Sequence, residues 1–204
     1  MINNQGFAVV FDFDGTLIDS KEVKTLNYLK AFEIVFRTKK EAKEKIIKSC
    51  EKTSGANRFL QLSDTLEALD LTATDEQKDT WSRQYSSLNS KSLKKISEFP
   101  SVRSIFEELN KKGVKIFAAS GILEEEFLHE LSRRKLTNFF LKAKGGDKLG
   151  FLKSLKERGF WPILFVGDTV YDEKTAIEAG VLFFKIAKDS DFLDLIIFLN
   201  KNKK

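Results

Sequence analysis

The stretch Phe7-Ala8-Val9-Val10-Phe11-Asp12-Phe13-Asp14-Gly15-Thr16-Leu17-Ile18-Asp19-Ser20 limits what this chain can become more than any other. Five consecutive apolar residues read as a short strand buried on both faces, as in a parallel sheet. Two carboxylates two residues apart follow where that strand ends, and Gly15, Thr16 and Ser20 supply the turn. In an open α/β sheet ligands bind at the carboxyl ends of the strands. Like charges this close repel unless a cation offsets them, and strand alternation points Asp12 and Asp14 to one side. Read alone, the pair is also compatible with two solvated carboxylates. An EF-hand is excluded, because Thr16 and Leu17 stand where that loop needs Asp or Asn and then Gly.

The rest of the chain supports a parallel sheet interrupted by helices. Residues 21–37, 39–52, 56–69, 75–88 and 91–97 read as helical, with Asp75 and Ser90 as starts and no strand-like run between them. The spacing therefore predicts an all-helical insertion over 20–95, flanked by a core made of 1–19 and 96–204. From Ser101, expected as a helix cap, strand and helix alternate: helix 102–112, strand 114–119, helix 123–135, strand 139–141, helix 148–158, strand 163–166, helix 172–179, strand 181–187 and helix 191–200. The fold class is α/β: a Rossmann-like parallel sheet core with an inserted helical domain.

Composition fits a chain of 204 residues with 42% apolar content and 19 Phe. No apolar run approaches the ~20 residues of a membrane span, and Met1 to Gln5 lack the charged-then-apolar layout of a signal peptide. One cysteine, Cys50, allows no internal disulfide, so a reducing, cytoplasmic setting is expected. The net charge of +5 is spread along the chain and mixed with acids, apart from a short basic end at Lys201–Lys204 read as frayed. That distribution speaks against nucleic acid and for mild attraction of anionic substrates. Cys50, Trp81, Tyr85 and Trp161 read as packing groups, and His129 as a solvated helix residue.

Three more strand ends carry polar groups. Ser120 offers a hydroxyl and a backbone N–H to an anion, or caps the next helix. Lys148 opens a helix, where a cation opposes the dipole, so a role beside an oxyanion is as good a reading as a misplaced charge. Lys142, Lys144 and Lys153 compete with it. Asp168 follows the fourth strand, and Asp172 lies one helical turn on, so the two carboxylates can face one place; read alone, Asp168 or Thr169 equally caps the next helix. Hard oxygen ligands without His or Cys suit Mg²⁺. There is no Walker loop and no G-x-G-x-x-G.

On Asp12-Phe13-Asp14-Gly15-Thr16, Ser120, Lys148 and Gly167-Asp168-Thr169-Val170-Tyr171-Asp172, in that order, the sequence resembles the haloacid dehalogenase (HAD) superfamily. The helical insertion sits where that family places its C1 cap. The resemblance implies a Mg²⁺-dependent phosphatase of small phosphorylated metabolites. Asp12 would be the nucleophile that forms an aspartyl-phosphate, Asp14 the acid and base, and Thr16 the residue orienting Asp12. Metal would be held by Asp12, the Asp14 carbonyl and Asp168, with Asp172 as ligand or behind the ligands. Ser120, Gly121 and Lys148 would hold the phosphoryl group. Within the family the chain resembles the phosphoglycolate phosphatase and β-phosphoglucomutase branch, whose cap loop is matched by Thr53 to Arg58. Asn57 and Arg58 would then contact substrate. A phosphosugar mutase with the same carboxylates, and a non-catalytic binder on this fold, are the competing expectations. Gly121 stands where the family commonly has Asn, and Leu149 where it has Pro.

Overall fold

A computed structural model describes residues 5–201. Met1 to Asn4 and Asn202 to Lys204, with most of the basic C-terminal end, lie outside them. The chain divides into two compact units, Met1–Asp19 with Glu98–Lys204 and Ser20–Ser97.

In the first unit, β1 (Gly6–Phe11), β2 (Lys115–Ser120), β3 (Lys142–Gly145), β4 (Phe160–Gly167) and β5 (Leu182–Lys185) form one sheet in the order β3-β2-β1-β4-β5. Every neighbouring pair is parallel. The central strands are mostly apolar because both faces are covered. Ala8, Val10, Phe117, Ala119, Ile163 and Phe165 pack with Phe151, Leu152 and Leu155 of α7 (Lys148–Glu157) and Ala176 and Ala179 of α8 (Val170–Ala179). On β1's alternate positions, the Phe11 ring lies 5.1 Å edge-on to Phe106 of α5 (Val102–Lys111). The unit is completed by α6 (Glu124–Arg133) and α9 (Asp191–Lys201).

The second unit holds α1 (Lys21–Phe36), α2 (Lys43–Lys52), α3 (Arg58–Ala68) and α4 (Asp75–Ser92). Its core is Tyr28, Phe32, Ile46, Cys50, Leu62, Leu66, Trp81 and Tyr85. Tyr28 is buried and still satisfied, its hydroxyl donating to the Gln61 carbonyl at 3.0 Å and sharing a 2.7 Å hydrogen bond with Thr65.

Several sequence expectations need correction. The third strand is Lys142–Gly145, not 139–141; Thr137–Phe139 form a 3₁₀ turn. Phe139 and Phe140 pack on Phe106 instead, each at 5.2 Å. As an edge strand, β3 tolerates Lys142 and Lys144 and needs no apolar run. Ser90 starts no helix: α4 runs unbroken from a Thr74–Gln77 capping box to Ser92. Its serines do not break it because Ser86 and Ser92 donate back to the Ser82 and Leu88 carbonyls. Ser101 takes the N-cap position of α5, but its side chain makes no cap bond; its hydroxyl and N–H both donate to Asp189, at 2.9 and 2.8 Å. Trp161 is 51% exposed rather than packed, with the Lys156 ammonium 5.4 Å above its ring. His129 is exposed, as expected.

Candidate active site

The carboxyl end of the sheet gathers the polar groups. Asp12 directly follows β1, and its N–H donates to the Val166 carbonyl of β4 at 2.8 Å. The chain then turns sharply. The Phe13 carbonyl accepts from Thr16, Leu17 and Ile18, and Gly15 N–H donates to the Ile18 carbonyl at 2.8 Å. Gly15 has φ +81, and a Cβ there would lie 2.6 Å from Asp168 Cγ. Only glycine lets the first loop come this close to the end of β4. Gly167 does the same for the next helix, since its Cβ would meet Asp172 Cβ at 2.6 Å.

Lys148 is the hub. It is the first residue of α7, 4% exposed, with Nζ 2.7 Å from Asp12 Oδ1 and 2.6 Å from Asp172 Oδ1. Of the four lysines the sequence left in competition, this one reaches Asp12. Lys144 pairs with Glu124, and Lys153 with Glu178. Asp172 has its other oxygen engaged as well: Oδ2 accepts from Thr169 N–H at 3.1 Å and from the Thr169 hydroxyl at 2.5 Å. Thr169 and Asp172 thus form a capping box for α8. The sequence admits Thr169 as the cap of this helix, as observed; the reciprocal bond from Asp172 is the part it does not single out.

Asp12, Asp168 and Asp172 each place a carboxylate oxygen within 4.8 Å of the others. Asp14 contributes no carboxylate to that cluster and lies half-buried. Burial pushes the Asp12 carboxyl well above the usual range; Asp172 and Asp168 push the same way, and the Lys148 ammonium opposes them. Burial alone would lower Lys148, but Asp12 and Asp172 more than reverse that and hold it above the ordinary lysine value. Three carboxylates around one ammonium leave the site short of positive charge. An oxygen-only donor set with a negative excess fits a hard divalent cation such as Mg²⁺.

Ser120 ends β2, 1% exposed, with Oγ accepting from Ile122 N–H at 3.2 Å. Its carbonyl accepts from Gly146 N–H at 2.8 Å, tying the loop that leads to Lys148 to the end of β2. Gly121 follows, half-buried. Thr16 does not orient Asp12 here: its hydroxyl is fully buried and makes no hydrogen bond among the described residues.

The haloacid dehalogenase-like hydrolase model matches residues 9–186. The chain belongs to that family. A predicted phosphoglycolate phosphatase from Haemophilus somnus 129pt superposes on this hydrolase with a TM-score of 0.69, at 19% identity over 93% of this chain and 97% of that one. A hydrolase from Pseudomonas syringae gives 0.78 at 19% identity, over 97% and 99%. A Thermotoga maritima protein described provisionally as a β-phosphoglucomutase gives 0.63 at 19% identity, over 94% and 99%. At these identities the likeness is one of fold. No curated protein matches the sequence.

In this hydrolase Asn57 and Arg58 have local partners inside the helical unit. Asn57 caps α3, its side chain accepting from Phe59 N–H at 2.9 Å. Arg58 is 4% exposed; Nη1 donates to Ser86 Oγ at 2.6 Å and Ser82 Oγ at 3.2 Å, and the guanidinium lies 5.4 Å from the Tyr85 ring centroid. The open cation expected from the sequence is instead built into the packing of α3 against α4. Among the described residues, no helix is long and apolar enough to cross a membrane.

Proposed function

We infer that this chain is a phosphomonoesterase acting on a small phosphorylated metabolite with Asp12 as nucleophile. The observation that carries the reading is the Lys148 ammonium, shared between Asp12 and Asp172 at 2.7 and 2.6 Å beside Asp168. A buried carboxylate stays ionised and aimed only if a cation holds it. Asp14, two residues on and more exposed, is the proton carrier in this reading.

In this reading an Asp12 oxygen attacks phosphorus while the ester P–O bond breaks, and Asp14 gives its proton to the leaving alkoxide. Water then attacks the aspartyl-phosphate, Asp14 takes the proton back, and phosphate leaves with Asp12 regenerated. Ser120, Gly121 and Lys148 donate to the phosphoryl oxygens as charge spreads over them. Asp12, the Asp14 carbonyl and Asp168 would hold Mg²⁺. Asp172, with both oxygens already accepting hydrogen bonds, would stand behind them and hold Lys148. When bound, the cation supplies charge neutralisation between nucleophile and phosphoryl group. The helical unit is inserted in the chain between Asp19 and Glu98.

The test is phosphate release from a panel of phosphorylated sugars, acids and nucleotides, with Mg²⁺ or EDTA, and Asp12→Asn alongside. Metal-dependent release that the substitution abolishes is the expected result. Isomerised sugar phosphate without phosphate release would make the chain a mutase, which uses the same carboxylates. Neither product from a folded, Mg²⁺-binding protein would favour the non-catalytic reading.

A further inference from the structure

Beneath Phe13 lies a buried ion pair that this chemistry does not use. Arg134 follows α6, and its Nε lies 3.3 Å from Glu130 Oε2, with the side chains 4% and 8% exposed. The guanidinium carbon sits 5.7 Å from the centroid of the Phe13 ring. Phe127 closes the same ring from its edge, at 5.4 Å and 61°. Phe13 itself is fully buried.

An apolar pair of similar size would hold α6 to the sheet as well or better, because both charges lose their hydration here. What the ion pair adds is direction. Glu130 is gripped a second time by Arg133 at 2.6 Å. The Arg134 carbonyl accepts from Arg103 Nη2 at 2.6 Å, and Arg103 Nε pairs with Glu98 at 3.0 Å. Glu98 is the first residue of the core after the helical insertion, and it bridges Ile18 at the end of the Asp12 turn. Two ion pairs, Glu98–Arg103 and Arg134–Glu130, joined by the Arg103 bond to the Arg134 carbonyl, therefore run from the root of the insertion to the ring between the two aspartates. Phe13 is also the residue whose carbonyl collects the N–H groups of Thr16, Leu17 and Ile18. Fixing its ring fixes the turn that aims Asp12 and Asp14.

We propose that Arg134, held by Glu130, is a positioning residue for the Asp12 and Asp14 carboxylates, acting through the face of the Phe13 ring. The proposal rests on the phosphatase reading for its kinetic consequence and on geometry alone for its structural one. The experiment compares Arg134→Met, Arg134→Lys and Arg133→Met for kcat, KM, thermal midpoint and amide exchange at Thr16, Leu17 and Ile18. Arg134→Met should lose between about ten- and a hundredfold in kcat, as small misplacements of reacting groups do. Its KM should stay within about twofold, since uniform binding is untouched. Exchange at the three amides should quicken. Arg134→Lys should recover part of kcat, because an ammonium can still sit over the ring. Arg133→Met, which leaves Arg134 over the ring, should keep kcat.

A fall in thermal midpoint with kcat and exchange unchanged in Arg134→Met would make the pair merely structural and overturn the proposal. If Arg134→Met does not fold, Phe13→Leu takes its place, and unchanged kcat there overturns it equally. If the wild-type protein releases no phosphate from any ester, the phosphatase reading fails by itself. The exchange rates then decide, and unchanged rates at 16–18 reject the positioning role.

Discussion

Lys148 Nζ lies 2.7 Å from Asp12 Oδ1, with both side chains 3% exposed. Neither charge is tenable there alone. Removing one partner of a buried pair leaves the other unpaired, at a cost of about 3–5 kcal/mol. Lys148→Met should therefore lower both stability and turnover, with Asp12 driven further toward its protonated form. Activity should fall by at least about a hundredfold, since a donor aimed at developing charge is lost with the cation. Chemical denaturation and phosphate release on the same preparation check both halves. A stable variant with full activity would remove Lys148 from the site.

Gly15 and Gly113 share a left-handed backbone, φ +81 and +71, but differ in what surrounds them. A Cβ on Gly15 would press on the Asp168 carboxylate, whereas one on Gly113 meets nothing within 4 Å. Gly113→Ala should cost only backbone strain, about 1 kcal/mol, and leave catalysis intact. Gly15→Ala carries the same strain and must also displace Asp168 or the turn. Its stabilisation by Mg²⁺ in a thermal melt should shrink or vanish, while that of Gly113→Ala matches the wild type. Equal Mg²⁺ responses in the two variants would show that the Gly15–Asp168 approach does not shape the cation site.

The parts of the site legible in the sequence were those fixed by strand ends. Asp12, Ser120 and Asp168 each follow an apolar run, and a parallel sheet brings such ends together whatever lies between them. Lys148 was legible only as a cation at the wrong end of a helix; its pairing with Asp12 needed the loop that Gly146 ties to Ser120. The third strand was misplaced because apolar runs mark burial rather than pairing. Phe139 and Phe140 are drawn onto Phe106, and the edge of the sheet takes the lysines. Thr16 and Arg58 show another gap: a motif names a residue type but not its partners. The Thr16 hydroxyl has no hydrogen bond among the described residues, and Arg58 is bonded to serines on α4.

Arg58 gives a prediction that separates packing from recognition. Its guanidinium bridges Ser82 and Ser86 with almost no exposure. Arg58→Met keeps the stem but takes a donor from the buried Ser82 hydroxyl and from Ser86, worth about 1–3 kcal/mol. The helical unit should melt earlier, and KM for any substrate should change by less than about twofold. A large rise in KM with unchanged stability would return Arg58 to the substrate-binding role that its motif suggested.

Cys50 offers a clock for opening of the helical unit. Burial, first of all, pushes its thiol from the usual value up to about 12. The folded state therefore holds the proton more tightly than the unfolded one. Stability from this group is complete below the unfolded thiol's value near 9.0 and is lost as pH rises from there through about 12. At pH 8 the folded thiol is neutral and shielded, so a disulfide reagent should react only through unfolding of this unit. Labelling in native buffer should be slow and should accelerate with denaturant along the unfolding curve of Arg58→Met and wild type alike. Immediate labelling of the native protein at the rate of a free peptide thiol would contradict the burial of Cys50 among Ile46, Leu62 and Leu66.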